Sequence, residues 1–159
     1  MSFKMVKEAE RYYKMVDERR DGGAKYKFKF DFYYLCLMAG LNFRTRGDSQ
    51  QKEELQKAEP FVNYYIELYR DKADLIAGLL IDAEMDRKGI EPEDKNGIQK
   101  LMLTLIDHMS NTKLSTAGIE LLNLYSVGGF NLLKDAIPAT SELEVFLVRY
   151  HQFMNSQTE

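Results

Sequence analysis

One cysteine, three prolines, two histidines and no tryptophan are all that this 159-residue chain holds of those four residue types. The solitary Cys36 excludes an internal disulfide and suits a reducing compartment. His108 and His151 are too distant in sequence to sit at i, i+3 or i, i+4, and no Glu-x-x-His pair exists. Di-iron bundle chemistry is thereby excluded. No Pro- or Gly-rich linker, internal repeat or low-complexity tract divides the chain, so a single domain over 1–159 is expected. The longest apolar run, "FYYLCLMAGL" from Phe32 to Leu41, is too short to cross a bilayer. The opening "MSFKMVKEAERYYK" is charged throughout, unlike a secretory signal. A cytoplasmic protein is the expectation.

Catalytic signatures are also missing. No G-x-S-x-G elbow, G-x-x-x-x-G-K-[ST] loop or G-x-G-x-x-G follows a strand pattern. Cys36 lies in "YYLCLMA", where burial would raise its pKa and blunt its reactivity. Asp71, Asp74, Asp82 and Asp86 fall along one flank of a helical pattern, and carboxylates so placed can hold Mg²⁺ if another helix adds more. An ordinary solvated acidic face is preferred there. "VGGF" at 127–130 is too short to cradle a phosphate and reads as a helix break that lets two helices pack closely. "RGD" at 46–48 reads as a turn. No metal, cofactor or catalytic residue is expected.

What the chain does hold is enough to fold. Hydrophobic residues make up 45% and charged residues 30%, ordinary globular usage. A chain of this length buries roughly two-thirds of its unfolded surface. Net charge is −3, unevenly spread. Residues 1–48 carry 11 Lys+Arg against 7 Asp+Glu, a net +4, and the remainder 11 against 18, a net −7. Such asymmetry points to a polyanion-facing or partner-facing end.

Apolar periodicity predicts an all-α bundle of six or seven helices. The first begins after Ser2, buries Phe3, Val6, Ala9, Tyr13 and Val16, and stops at Gly22-Gly23. The second runs from about Phe32, with Asp31 as N-cap and Gly40 near its end. "NFRTRGDSQQKEELQKAE" starts as a loop and can close as a short solvated helix. Pro60 suits the first turn of a long helix that carries Phe61, Val62, Tyr65, Ile66, Tyr69, Ala73, Ile76, Leu80 and Ala83 and ends at Gly89, with a break conceivable at Arg70–Asp74. Another helix, from about Gly97, buries Ile98, Leu101, Met102, Leu105, Ile106 and Met109. Ser115 caps "TAGIELLNLY", which ends at "SVGGF"; "NLLKDAI" is a separate short helix. The last opens with Ser141 and Glu144 at capping-box spacing and buries Val145, Leu147 or Val148, and Phe153 or Met154.

The segment 25–30 is different. Strict alternation puts Tyr26, Phe28 and Phe30 on one face and Lys25, Lys27 and Lys29 on the other, which favours a short extended segment. A strand followed by a helix ending in "AGLN" resembles the ribbon-helix-helix DNA-binding proteins over residues 25–42. "FRTRGDSQQKEE" lacks the apolar periodicity of that family's second helix, and the family is not assigned. Lys25, Lys27, Lys29, Arg44 and Arg46 nonetheless form a candidate nucleic-acid-binding set, with aromatics nearby to stack on exposed bases. The competing and preferred reading is a core strand face with its lysines in water.

Ten Tyr and nine Phe are a heavy aromatic load. Tyr12, Tyr13, Tyr33, Tyr34, Tyr64 and Tyr65 come in adjacent pairs, which diverge by about 100° on a helix. Tyr12, Tyr33, Tyr64 and Tyr65 are therefore candidate interface residues, the alternative being that they rim one core with hydroxyls in water. These features predict a non-enzymatic accessory or adaptor protein of bacterial type, working as a homo-oligomer or docked to a protein partner in a multi-protein assembly. Nucleic-acid binding through 25–46, as in a small subunit for DNA processing or phage defence, is the alternative. A metal-dependent helical hydrolase is the third reading.

Overall fold

The computed structural model describes residues 2–18 and 29–156, and these form an all-α bundle. Seven α-helices follow in order: α1 (Lys7–Glu18), α2 (Lys29–Asn42), α3 (Ser49–Lys57), α4 (Ala73–Lys88), α5 (Lys95–Leu105), α6 (Thr116–Ala136) and α7 (Leu143–Ser156). A 3₁₀ turn, Glu67–Lys72, leads into α4. Among the described residues β-pairing is confined to two isolated antiparallel bridges, Phe3 with Val62 and Ile106 with Leu114.

Local chemistry sets the helix ends. Asp48 opens α3 with a reciprocal box: its carboxylate accepts from the Gln51 amide at 2.8 Å, and Gln51 Oε1 accepts from the Asp48 amide at 3.0 Å. Asp94 and Ser115 cap α5 and α6 by accepting from the amides of Gly97 and Gly118. Gly89 ends α4 in the left-handed conformation, φ 68°.

The core is built around the crossing of α2 and α6. A Cβ on Gly40 would collide with the Tyr125 carbonyl, and one on Gly129 with the Cys36 carbonyl. Glycine alone lets the two backbones come this close. Two aromatic clusters fill the remaining space. Phe3, Phe30, Tyr33 and Tyr65 pack together, with Phe3 and Phe30 edge-to-face at 5.0 Å. Tyr12, Phe32, Phe130 and Phe146 form the second, with Tyr12 to Phe130 at 5.7 Å. Edge-to-face pairs of this kind add about 0.5–1.5 kcal/mol beyond their burial.

Several sequence expectations are corrected. Lys29 and Phe30 are helical, not extended, and Asp31 lies inside the first turn of α2 rather than capping it; residues 25–28 and the Gly22-Gly23 stop lie outside the described residues. The first helix starts at Lys7, although Phe3 and Val6 are still buried. Pro60 opens no helix. Phe61 donates to the Phe3 carbonyl at 3.0 Å and Phe3 to the Val62 carbonyl at 2.8 Å, so this backbone is paired across to the N-terminal segment. "SVGGF" does not interrupt α6, which runs unbroken from Thr116 to Ala136: the backbone of Thr45 and Arg46 lies against Gly128, and α2 against Gly129. The last helix starts at Leu143, and the hydroxyl oxygen of Thr140, not of Ser141, accepts a backbone hydrogen bond, from the Glu142 amide. That helix buries Leu143 and Phe146, while Leu147 and Val148 face outward.

Candidate functional site

The loop between α2 and α3 carries Arg44 and Arg46 back over α4. Arg44 takes a left-handed backbone conformation, φ 54°, and its guanidinium donates to the Leu41 carbonyl at 2.6 Å and to Asp82 Oδ2 at 2.7 Å. Its Nε lies 3.4 Å from Asp86 Oδ2. Arg46 Nη1 sits 3.5 Å from Oε1 of Glu84, a carboxylate only 1% exposed. Glu84 Oε2 accepts a 2.6 Å hydrogen bond from the Tyr125 hydroxyl. Burial, followed by that hydrogen bond, pushes the Tyr125 pKa up. The junction ties α4 to α6 and to the 44–46 loop.

Of the five proposed phosphate-contacting cations, the three among the described residues are each engaged by a carboxylate. Lys29 pairs with Glu10 and lies 5.2 Å above the Phe61 ring. Arg44 and Arg46 are engaged by Asp82, Asp86 and Glu84. Lys25 and Lys27 lie outside the described residues.

Three of the four proposed interface tyrosines lie inside the fold. Tyr12, Tyr33 and Tyr65 are buried in the core. Tyr12 donates to the Ile137 carbonyl at 2.8 Å and Tyr33 to Asn123 Oδ1 at 2.7 Å. The α2–α6 crossing and the Phe3 bridge swallow these rings on a wider apolar face than a single stripe would give. Tyr64 is half-exposed and stays available to a partner.

Two concavities flank α5. Its inner face contributes Leu101, Thr104 and Leu105 to a cavity of about 350 Å³ closed by the N-terminal segment, α3, α4 and α6. Glu84 and Asn123 lie in its wall, with Lys4, Lys52 and Lys88 around it. The outer face contributes Ile98, Met102 and Leu103, together with Ile106 beyond its end, to an open apolar groove of about 390 Å³. Leu103 is 75% exposed, and Met109, on the turn that follows, 93%. Periodicity placed Met102 and Met109 in the core stripe; α5 instead ends at Leu105, and the Ile106–Leu114 bridge carries the chain away before Met109 can pack.

Among the described residues no three His, Cys, Asp or Glu side chains are grouped to hold a metal ion, and no helix is long and apolar enough to cross a membrane. Asp82 and Asp86 are occupied by Arg44. Cys36 is buried, and burial pushes its thiol pKa up. The chain matches no known family model, no curated protein and no solved structure.

Proposed function

We propose that this chain is a non-enzymatic helical adaptor or accessory protein that acts through protein–protein contacts. The observation carrying the reading is the outward apolar face of α5, where the exposed Met102 and Leu103 line a groove, followed by the exposed Met109 on the next turn. A contiguous apolar patch beside a concavity marks an interaction surface far more than scattered apolar residues do. Methionine suits such a surface because its unbranched, polarizable chain adapts to the shape of a partner. Among the described residues Lys95 is the one permanent cation lining the groove, which fits an apolar segment of a protein better than a polyanion. That segment is supplied by a different protein or by a second copy of this chain.

Nucleic-acid binding through 25–46 has less support, because each described cation of that set is engaged by a carboxylate. A metal-dependent hydrolase has less still, since Asp82 and Asp86 serve as partners of Arg44. The adaptor reading is tested by light scattering and by capture of partners on the immobilised protein, each run beside Leu103→Asp. Self-association or a captured partner that Leu103→Asp abolishes supports it. A strict monomer whose captured proteins are the same with and without the aspartate overturns it.

A further inference from the structure

We infer that the cavity between α3, α4, α5 and α6 binds a small amphipathic anion, with an apolar body and one anionic head. This is a separate site from the outer face of α5 and does not depend on the adaptor reading. The volume, about 350 Å³, falls at the small end of ligand pockets, which run from about 300 to 1,000 Å³. Its walls are apolar where Leu55, Leu101, Leu105, Ile119 and Leu124 meet. These residues offer a body of aliphatic or aromatic carbon an exchange of water for close contact.

The charge around the walls is lopsided. Lys4, Lys52 and Lys88 line the cavity, and none of them makes an ion pair with a described residue. Of the two lining carboxylates, Glu84 is already matched by Arg46 and by the Tyr125 hydroxyl. Glu120 alone is left to offset three cations. A region of net positive charge thus opens into a cavity of a protein whose overall charge is −3. The start of α6 adds to it. Ser115 takes the Gly118 amide, and the amides of Thr116 and Ala117, both lining the cavity, have no acceptor within the helix. The positive end of the α6 dipole lies at these two lining residues. Lysine ammoniums and helix-end amides recognise a carboxylate and a phosphate monoester alike, and the experiment separates the two.

Octanoate, octyl phosphate, octanol and octylamine serve as probes, titrated into the 159-residue chain and followed by amide NMR shifts and by thermal melting. The expected result is saturable binding of octanoate, octyl phosphate or both, with the shifts centred on Thr116 and Ala117 and a rise in melting temperature. Whichever of the two binds more tightly identifies the head group. Lys52→Ala/Lys88→Ala removes two exposed side chains, leaves the melting temperature of the unliganded protein near that of the wild type, and weakens anion binding at least tenfold. Failure of both anions to bind the folded protein overturns the inference. So does octanol or octylamine binding as tightly as the anions, or anion binding unchanged in the double variant.

Discussion

The Tyr125 hydroxyl donates to the Glu84 carboxylate across 2.6 Å, joining the middle of α6 to the last turns of α4 inside the protein. Arg46 completes the arrangement from the loop after α2, at 3.5 Å from the other carboxylate oxygen. A carboxylate this deeply placed is tolerable only because both of its oxygens are matched.

Glu84→Gln should therefore destabilise the fold without abolishing it. The amide oxygen can still accept from Tyr125, but Arg46 loses its counter-charge. Arg46 keeps some access to water, its side chain being 24% exposed, so the loss is about 2 kcal/mol, below the range for fully buried pairs. Urea unfolding measures it. A change within a few tenths of a kcal/mol would mean that the junction contributes little.

The two kinds of glycine in this chain should answer in opposite directions. Gly129→Ala drives a methyl into the Cys36 carbonyl, and neither helix backbone can yield cheaply, so a loss of about 3 kcal/mol is expected. Gly78 lies within α4 with no atom near its would-be Cβ. There alanine should stabilise by about 0.5–1 kcal/mol through helix propensity. Thermal melts of the two variants test the pair, and equal responses would contradict the close crossing of α2 and α6.

Alkaline pH should unfold the protein. Burial pushes the pKa values of Tyr12, Tyr33, Tyr65, Tyr125 and Tyr150 above the ordinary tyrosine value of 10.0. Above that value the unfolded chain releases these protons while the folded chain retains them, so stability is full below pH 10 and falls as the pH climbs past it. Tyrosinate absorbance from the buried rings should appear together with loss of helical circular dichroism. Ionisation of all ten tyrosines with the helices intact would show that these rings are reachable by water.

How far these features were legible in the sequence depended on the distance over which each is decided. Ser115 and Gly89 mark ends set by neighbours three or four residues away; Asp48, read only as part of a turn, caps the short helix that follows by the same local chemistry. The all-α class follows from periodicity. What a single stripe could not reveal is contact between distant segments. Phe61 and Val62 obey helical spacing, but the bridge to Phe3 gives their backbone other partners. Gly128 and Gly129 look like a break until the Thr45–Arg46 loop is laid against the first and α2 against the second. Phe30 alternates as a strand residue would, yet it enters α2 and packs on Phe3, Tyr65 and Tyr69.

The candidate sites were less legible than the fold for the same reason. Arg44 and Arg46 read as free cations because their acidic partners stand some forty residues downstream. Tyr12, Tyr33 and Tyr65 read as interface residues because a one-helix view cannot show a core that closes on several sides. The outward face of α5 carried a signal that was present but misassigned: Met102 and Met109 keep the apolar stripe going past the point where the helix stops.

The adaptor reading is tested most directly by partner capture with wild-type protein beside Leu103→Asp/Met109→Asp, both checked for unchanged melting. Both side chains point to solvent, so the fold should be unaffected while the apolar face is lost. The expected result is a stoichiometric protein partner, or a second copy of this chain, retained by the wild type and released by the double variant. Identical retention by both proteins, or no stoichiometric partner for either with a strictly monomeric chain, would contradict it.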